Sequence, residues 1–183
     1  MNRFALSSVL AATLFASAPA LSMFTGDTKA ACEAILCLST GKRPRECRSA
    51  IRRYFSIQRW KLSDTLKARK NFLNLCPSST EDPKMASLVD SITNGTDRCD
   101  YAALNANLIV WKEGAEAQDR YIRGELPGYC RSYYETTNIK PPRYVGTPER
   151  GGFWVEADRY AAAEAEYNDY SRNGSIHQTE SLQ

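Results

Sequence analysis

Six cysteines, Cys32, Cys37, Cys47, Cys76, Cys99 and Cys130, all follow an apolar leader, and that order constrains the fold more than any other feature of the 183-residue chain. The leader begins Met1-Asn2-Arg3. It continues from Phe4 to Ala16, broken only by Ser7, Ser8 and Thr13, and closes on Ala16-Ser17-Ala18-Pro19-Ala20. A charged start, an apolar middle and a small-residue exit form the pattern of a secretory signal peptide. Cleavage after Ala18 would leave Pro19 directly behind the scissile bond, so the signal peptide is read as 1–20, cut after Ala20. An uncleaved anchor is the rival reading, since no charge appears between Phe4 and Gly26. A spanning helix needs about 20 predominantly apolar residues, whereas the second half of this stretch carries Ser, Pro, Thr and Gly. Lys29-Ala30-Ala31 before Cys32 does not fit a lipid-modified cysteine.

An even set of cysteines in an oxidising compartment reads as disulfides. No Cys-x-x-Cys pair occurs, which removes a thiol redox motif and a zinc ribbon. Six cysteines allow about fifteen pairings, which sequence alone does not settle, but helical geometry ranks them. One helix covers Ala30 to Ser39, and Gly41 stops it. A second runs from near Arg45 to about Gln58, with Cys47, Ala50, Ile51 and Tyr54 on one face. A third is capped by Ser63, carries Leu62, Leu66, Leu73 and Cys76 in line, and ends at Pro77. Cys32 and Cys37, on one helix, point about 140° apart and cannot bond to each other. Cys37 and Cys47 flank the Gly41–Pro44 turn symmetrically, so an antiparallel helix pair brings them level. The expected set is Cys37–Cys47, Cys32–Cys76 and Cys99–Cys130, each bond contributing roughly 2–4 kcal/mol.

Beyond Cys76, a helix is expected from Pro83 to about Thr93, ended by Asn94-Gly95, and another from Cys99 to about Val110. Gly114 to Arg123 forms a candidate further helix. Pro127-Gly128 breaks the chain before Tyr129-Cys130. Pro141 to Gly146, a loop over Thr147 to Gly152, and Phe153-Trp154-Val155 read as a β-hairpin, the one strand signal recognised. Glu156 to Tyr170 reads as a helix with Tyr160, Ala163, Tyr167 and Tyr170 on one stripe. The fold class is therefore mainly α. A disulfide-braced helical domain spans 21–135, a small hairpin plus final helix packs on it over 136–172, and a flexible tail covers 173–183. Among the dense aromatics from Tyr129 to Tyr170, most are assigned to the core and two or three to an exposed surface.

Charge is unevenly placed. From Lys42 to Lys70 there are eleven Lys/Arg against Glu46 and Asp64, whereas from Asn71 onward there are eleven Lys/Arg against seventeen Asp/Glu. Arg45, Arg48, Arg52 and Arg59 fall in a narrow arc away from the apolar face of the second helix, a candidate binding face for an acidic partner. The alternative is that the basic half docks on the acidic half of the same chain. Acidic protein faces, anionic lipid head groups and acidic cell-wall polymer all suit such a surface. Specific nucleic-acid binding does not, because no aromatic alternates with the arginines as a stacking platform requires.

Catalytic resources are few. The single histidine, His177, sits in a polar C-terminal segment, so a multi-His metal site and most His-based mechanisms are excluded. No phosphate-binding glycine loop is present. No cofactor, no metal and no small-molecule substrate are expected. Only carboxylates remain: Glu113, Glu116 and Asp119 on one stretch, and Glu33 on the cysteine-bearing helix. Paired carboxylates are the machinery of a glycosidase, so a peptidoglycan-modifying enzyme is the alternative to a protein that acts by binding.

The segment Ala31-Cys32-Glu33-Ala34-Ile35-Leu36-Cys37-Leu38-Ser39, with Gly41, Pro44, Glu46-Cys47, Tyr54-Phe55-Ser56-Ile57 and Asn71-Phe72-Leu73-Asn74-Leu75-Cys76-Pro77, resembles the TrbM/KikA family. Further along, the resemblance rests on Tyr129-Cys130. Members of that family are encoded among the mating-pair-formation genes of conjugative plasmids. The resemblance implies a periplasmic accessory of a type IV secretion system, working in plasmid transfer with other mating-pair-formation proteins, and it supplies no catalytic residues.

Overall fold

The computed structural model describes residues 26–111 and 120–180, with side chains to Arg172. The leader at 1–20 and the carboxylates Glu113, Glu116 and Asp119 lie outside them. The elements run α1 (Gly26–Leu38), α2 (Cys47–Phe55), α3 (Leu62–Leu73), α4 (Pro83–Gly95), α5 (Tyr101–Asn107), β1 (Ile109–Trp111), β2 (Arg120–Ile122), α6 (Gly128–Thr136), β3 (Arg143–Val145), β4 (Phe153–Val155) and α7 (Tyr160–Glu180). The fold is mainly helical, with two small antiparallel hairpins, β1–β2 and β3–β4.

In α1 the buried positions Ala31, Ala34, Ile35 and Leu38 recur at spacings of three and four, so one apolar stripe faces inward. That stripe packs on α2 and α3, while α4 packs on α3 and α6. Gly95 marks where α6 crosses α4 most closely, since a Cβ there would stand 2.3 Å from Tyr133 Cγ. The core gathers Leu38, Tyr54, Leu73, Ile92, Leu104 and Trp154 around the half-cystines. Three disulfides tie it together: Cys32–Cys76 (Cα–Cα 4.9 Å), Cys37–Cys47 (5.7 Å) and Cys99–Cys130 (5.5 Å). These are the pairs that the helical geometry ranks first.

Several local expectations are corrected. α2 ends at Phe55, not Gln58, because Ser56 caps it and the chain turns away. α3 is not capped by Ser63. Its cap position is Lys61, and the helix stops at Leu73, before Cys76. Its inward face carries Thr65, Arg69, Phe72 and Leu73, while Leu62 is 56% exposed. An apolar-only stripe misses this phase because it runs through a buried arginine. The Arg69 guanidinium stands over the rings of Tyr54 and Phe55, 5.0 and 5.2 Å from their centroids, and pairs with Asp97 at 2.9 Å.

The helix expected from Cys99 to Val110 starts at Tyr101, where Asp100 accepts a hydrogen bond from the Ala103 amide, and ends at Asn107. Ile109-Val110-Trp111 is instead a strand, paired with Arg120–Ile122 in the register Ile109↔Ile122. Residues 120–123 are therefore not helical, and there are two hairpins rather than one. A β-branched and aromatic run suits a pleated, half-buried ribbon better than a helix. α6, absent from the sequence reading, buries Cys130 and Tyr133 at a spacing of three.

The expected hairpin forms with Tyr144 opposite Trp154. It is sewn to its neighbours by polar contacts. Trp154 donates its indole N–H to the Arg123 carbonyl (3.0 Å), Asn105 exchanges two hydrogen bonds with the Trp154 backbone, and the Tyr144 hydroxyl donates to Ile122 (2.7 Å). α7 begins at Tyr160 after a short turn, and its backbone continues to Glu180, past the expected end at Tyr170 and into the segment 173–183. Of the aromatics from Tyr129 to Tyr170, only Tyr170 is largely exposed, at 79%.

Candidate functional site

The corner between α1 and α2 is where the basic segment reaches the surface. Pro44 and Arg45 turn the chain into α2, their carbonyls accepting from the Cys47 and Arg48 amides at 3.1 Å. Cys37–Cys47 clamps that turn from below. Cys47, Ala50 and Tyr54 are buried, so the 3.6-residue period sends Arg48 and Arg52 outward, and the turn before α2 leaves Arg45 exposed beside them. With Arg43 and Pro44 they line a groove of about 340 Å³ that also includes the half-exposed Ile51.

Arg59 does not join them. α2 has ended four residues earlier, and Arg59 lies in the α2–α3 connection, along a different groove with Asp27 and Arg53. Arg43 and Ile51 take its place. The Arg-Pro-Arg spelling of the turn was the signal for Arg43. By its spacing Ile51 belongs to the core face, but it is only half-buried.

Arg43, Arg45, Arg48 and Arg52 share one groove, all four are exposed, and none makes an ion pair with a described residue. Several other arginines are engaged. Arg53 forms a bidentate pair with Asp27 (2.9 and 2.8 Å) and lies over the Phe72 ring. That hydrogen bond holds the Asp27 carboxyl below its usual range and raises Arg53. Arg98 stacks on Tyr129 at 4.1 Å, and Arg143 on Tyr160 at 3.4 Å. The basic half docks partly on the acidic half, through Lys70–Asp90 and Arg69–Asp97, and Thr40 at the α1–α2 corner pairs with Asn138, but Arg43, Arg45, Arg48 and Arg52 form no ion pair in doing so.

Local helix stability favours Arg52, in the last turn of α2, but does not explain Arg48. The positive end of a helix dipole lies at its N-terminus, where a cation is unfavourable by about 0.3–1 kcal/mol. α2 nevertheless has Arg48 there, no acid in its first turn, and a Glu46 that makes no capping hydrogen bond. Planar guanidinium groups converging over an apolar patch suit carboxylates, which they engage through paired N–H donors. Of the carboxylates considered for catalysis, Glu33 is within 3.7 Å of Lys29 one turn away on α1, and no described feature sets it in a cleft with a second acid. Among the described residues no group of three His, Cys, Asp or Glu side chains is arranged to hold a metal ion.

Fold and site together define a mainly helical, disulfide-locked protein whose distinctive surface is an arginine groove left unpaired. The chain belongs to the TrbM family, whose model matches residues 23–168, from the start of the helical part through both hairpins and into α7. Membership assigns it to conjugal transfer. Among curated proteins and solved structures, none matches the chain. Three disulfides fit an extracellular or periplasmic protein, and no helix among the described residues is long and apolar enough to cross a membrane.

Proposed function

We propose that this protein is a periplasmic accessory of a conjugative type IV secretion system that acts by binding, not catalysis. Its arginine groove receives an acidic segment of another mating-pair-formation protein. The observation that carries the reading is the set Arg43, Arg45, Arg48 and Arg52, exposed and without carboxylate partners on a corner clamped by Cys37–Cys47. Family membership supplies conjugation, and the leader at 1–20 with the disulfides supports export to the periplasm. A preformed groove loses little conformational freedom on binding, which favours affinity. The triple variant R45E/R48E/R52E tests it in a mating assay combined with periplasmic cross-linking. Both transfer and cross-linked partner should fall by about tenfold or more, as for loss of charge-assisted pairs, while the thermal melt is unchanged. Unchanged transfer and capture in a folded variant would overturn the proposal.

A further inference from the structure

The connection between α2 and α3 carries the most exposed large apolar residue among those described. Trp60 is 100% exposed, and Leu62, at the first position of α3, is 56% exposed. So exposed an indole projects into solvent and adds nothing to the described core. Its immediate neighbours Arg59 and Lys61 are exposed cations without an ion pair to a described residue, and Asp64 is the one acid between Arg59 and Lys70.

This exposure is built in from beneath. The Arg59 amide donates to the Thr65 hydroxyl at 2.8 Å, and that hydroxyl lies 3.2 Å from the Lys61 carbonyl. Arg69 donates from Nε to the Ile57 carbonyl at 3.2 Å, and Asp97 holds the other end of its guanidinium. Thr65 and Arg69 are 8% and 5% exposed. Buried polar groups thus fix the two flanks of a tip whose apolar side chains point into solvent. A tryptophan between two cations, followed by a leucine, has the two-layer chemistry of a bilayer interface. Indole and leucine enter the boundary between head groups and acyl chains, and the cations meet phosphates. A chain segment with eleven Lys/Arg against two acids, from Lys42 to Lys70, adds long-range attraction to a negative surface.

We propose that Arg59-Trp60-Lys61-Leu62 is a membrane-docking wedge for an anionic phospholipid surface. It shares no residue with the arginine groove, so the molecule has one surface for a lipid leaflet and another for a protein. The test is co-sedimentation of the purified, oxidised chain freed of the leader at 1–20 with vesicles of phosphatidylcholine alone and with phosphatidylglycerol added, followed by tryptophan quenching with brominated lipid. The chain should bind only the anionic vesicles, and less so as salt rises. W60A and R59E/K61E should each weaken binding by about tenfold or more, with melts unchanged because Trp60 is fully exposed, and W60F should show reduced quenching. Failure of the wild-type chain to bind, or binding by W60A equal to wild type, overturns the proposal. So does a W60A variant that binds vesicles normally yet loses cross-linked partner, which would make Trp60 a protein anchor. Vesicle binding involves no other protein, so its failure leaves the groove proposal standing.

Discussion

The corner built from α1, α2 and α3 and the two-hairpin region leading to α7 both hold short elements together, but by different means. The corner uses covalent bonds: Cys37–Cys47 closes its turn, and Cys32–Cys76 ties α1 to the end of α3. The β1–β2 hairpin lies within the loop closed by Cys99–Cys130, no cysteine follows Cys130, and the two hairpins are joined by Trp154, Asn105 and Tyr144 hydrogen bonds and by stacked rings, with Tyr144 5.4 Å from Trp154. Both regions pair some of their cations: Arg53–Asp27, Arg69–Asp97 and Lys70–Asp90 in the corner, Lys140–Asp158 at 3.1 Å and Arg131–Glu125 at 3.2 Å farther on. What the corner adds is a groove lined by Arg43, Arg45, Arg48 and Arg52, none ion-paired with a described residue, beside the Cys37–Cys47 bridge. A covalent brace frees nearby surface from having to stabilise the fold, and that surface becomes available for binding.

The strongest way to break this comparison is to remove the brace. C32S/C76S opens a loop spanning 44 residues, and the loop-entropy relation gives a loss of about 4 kcal/mol. Urea denaturation should show it as a fall in midpoint. If the loss is below about 1 kcal/mol, the corner is held by packing like the rest and the contrast disappears.

A smaller effect sharpens the difference between paired and unpaired arginines. R69A removes a buried guanidinium that holds both Asp97 and the Ile57 carbonyl, and should cost about 2–3 kcal/mol, less than a wholly buried pair because Asp97 is partly solvated. R48E, in the first turn of α2, should instead be neutral or stabilising by about 0.3–0.5 kcal/mol, since an acid suits that end of the helix. Equal losses for the two would mean that Arg48 is structural. The smallest expected effect is acid sensitivity at the Asp27–Arg53 pair. Asp27 is held below its ordinary carboxyl value, so its contribution is complete above about pH 4, the unfolded carboxyl range, and is lost as pH falls through the lower folded value. A carboxyl NMR titration should place Asp27 below the free-aspartate midpoint, and R53Q should return it there.

Much of the helical half is legible in the sequence because its signals are local. The period of Ala31, Ala34, Ile35 and Leu38 marks a face, Pro83 marks a start, and the placement of the cysteines about a Gly–Pro turn ranks the pairings. The arc of Arg48 and Arg52 is legible for the same reason, as it needs only 3.6 residues per turn. Arg59 was misplaced because the end of α2 depends on where the chain must go next. β1 and β2 were missed because each strand is three residues long and acquires meaning only from the other.

The sequence by itself determined the mainly helical class, the half-cystines and their ranked partners, and a basic stretch with one arginine face. All of these depend on residues within a few turns of one another or on the fixed reach of a disulfide. Only the tertiary structure decided that Arg69 goes inside while Leu62 stays out. It also decided that Lys70 and Arg69 meet distant acids while Arg43 to Arg52 do not, and that Trp60 is left bare. Whether a charge is neutralised or an indole is covered depends on what the rest of the chain brings beside it, and that information is carried by the packing and not by the spacing.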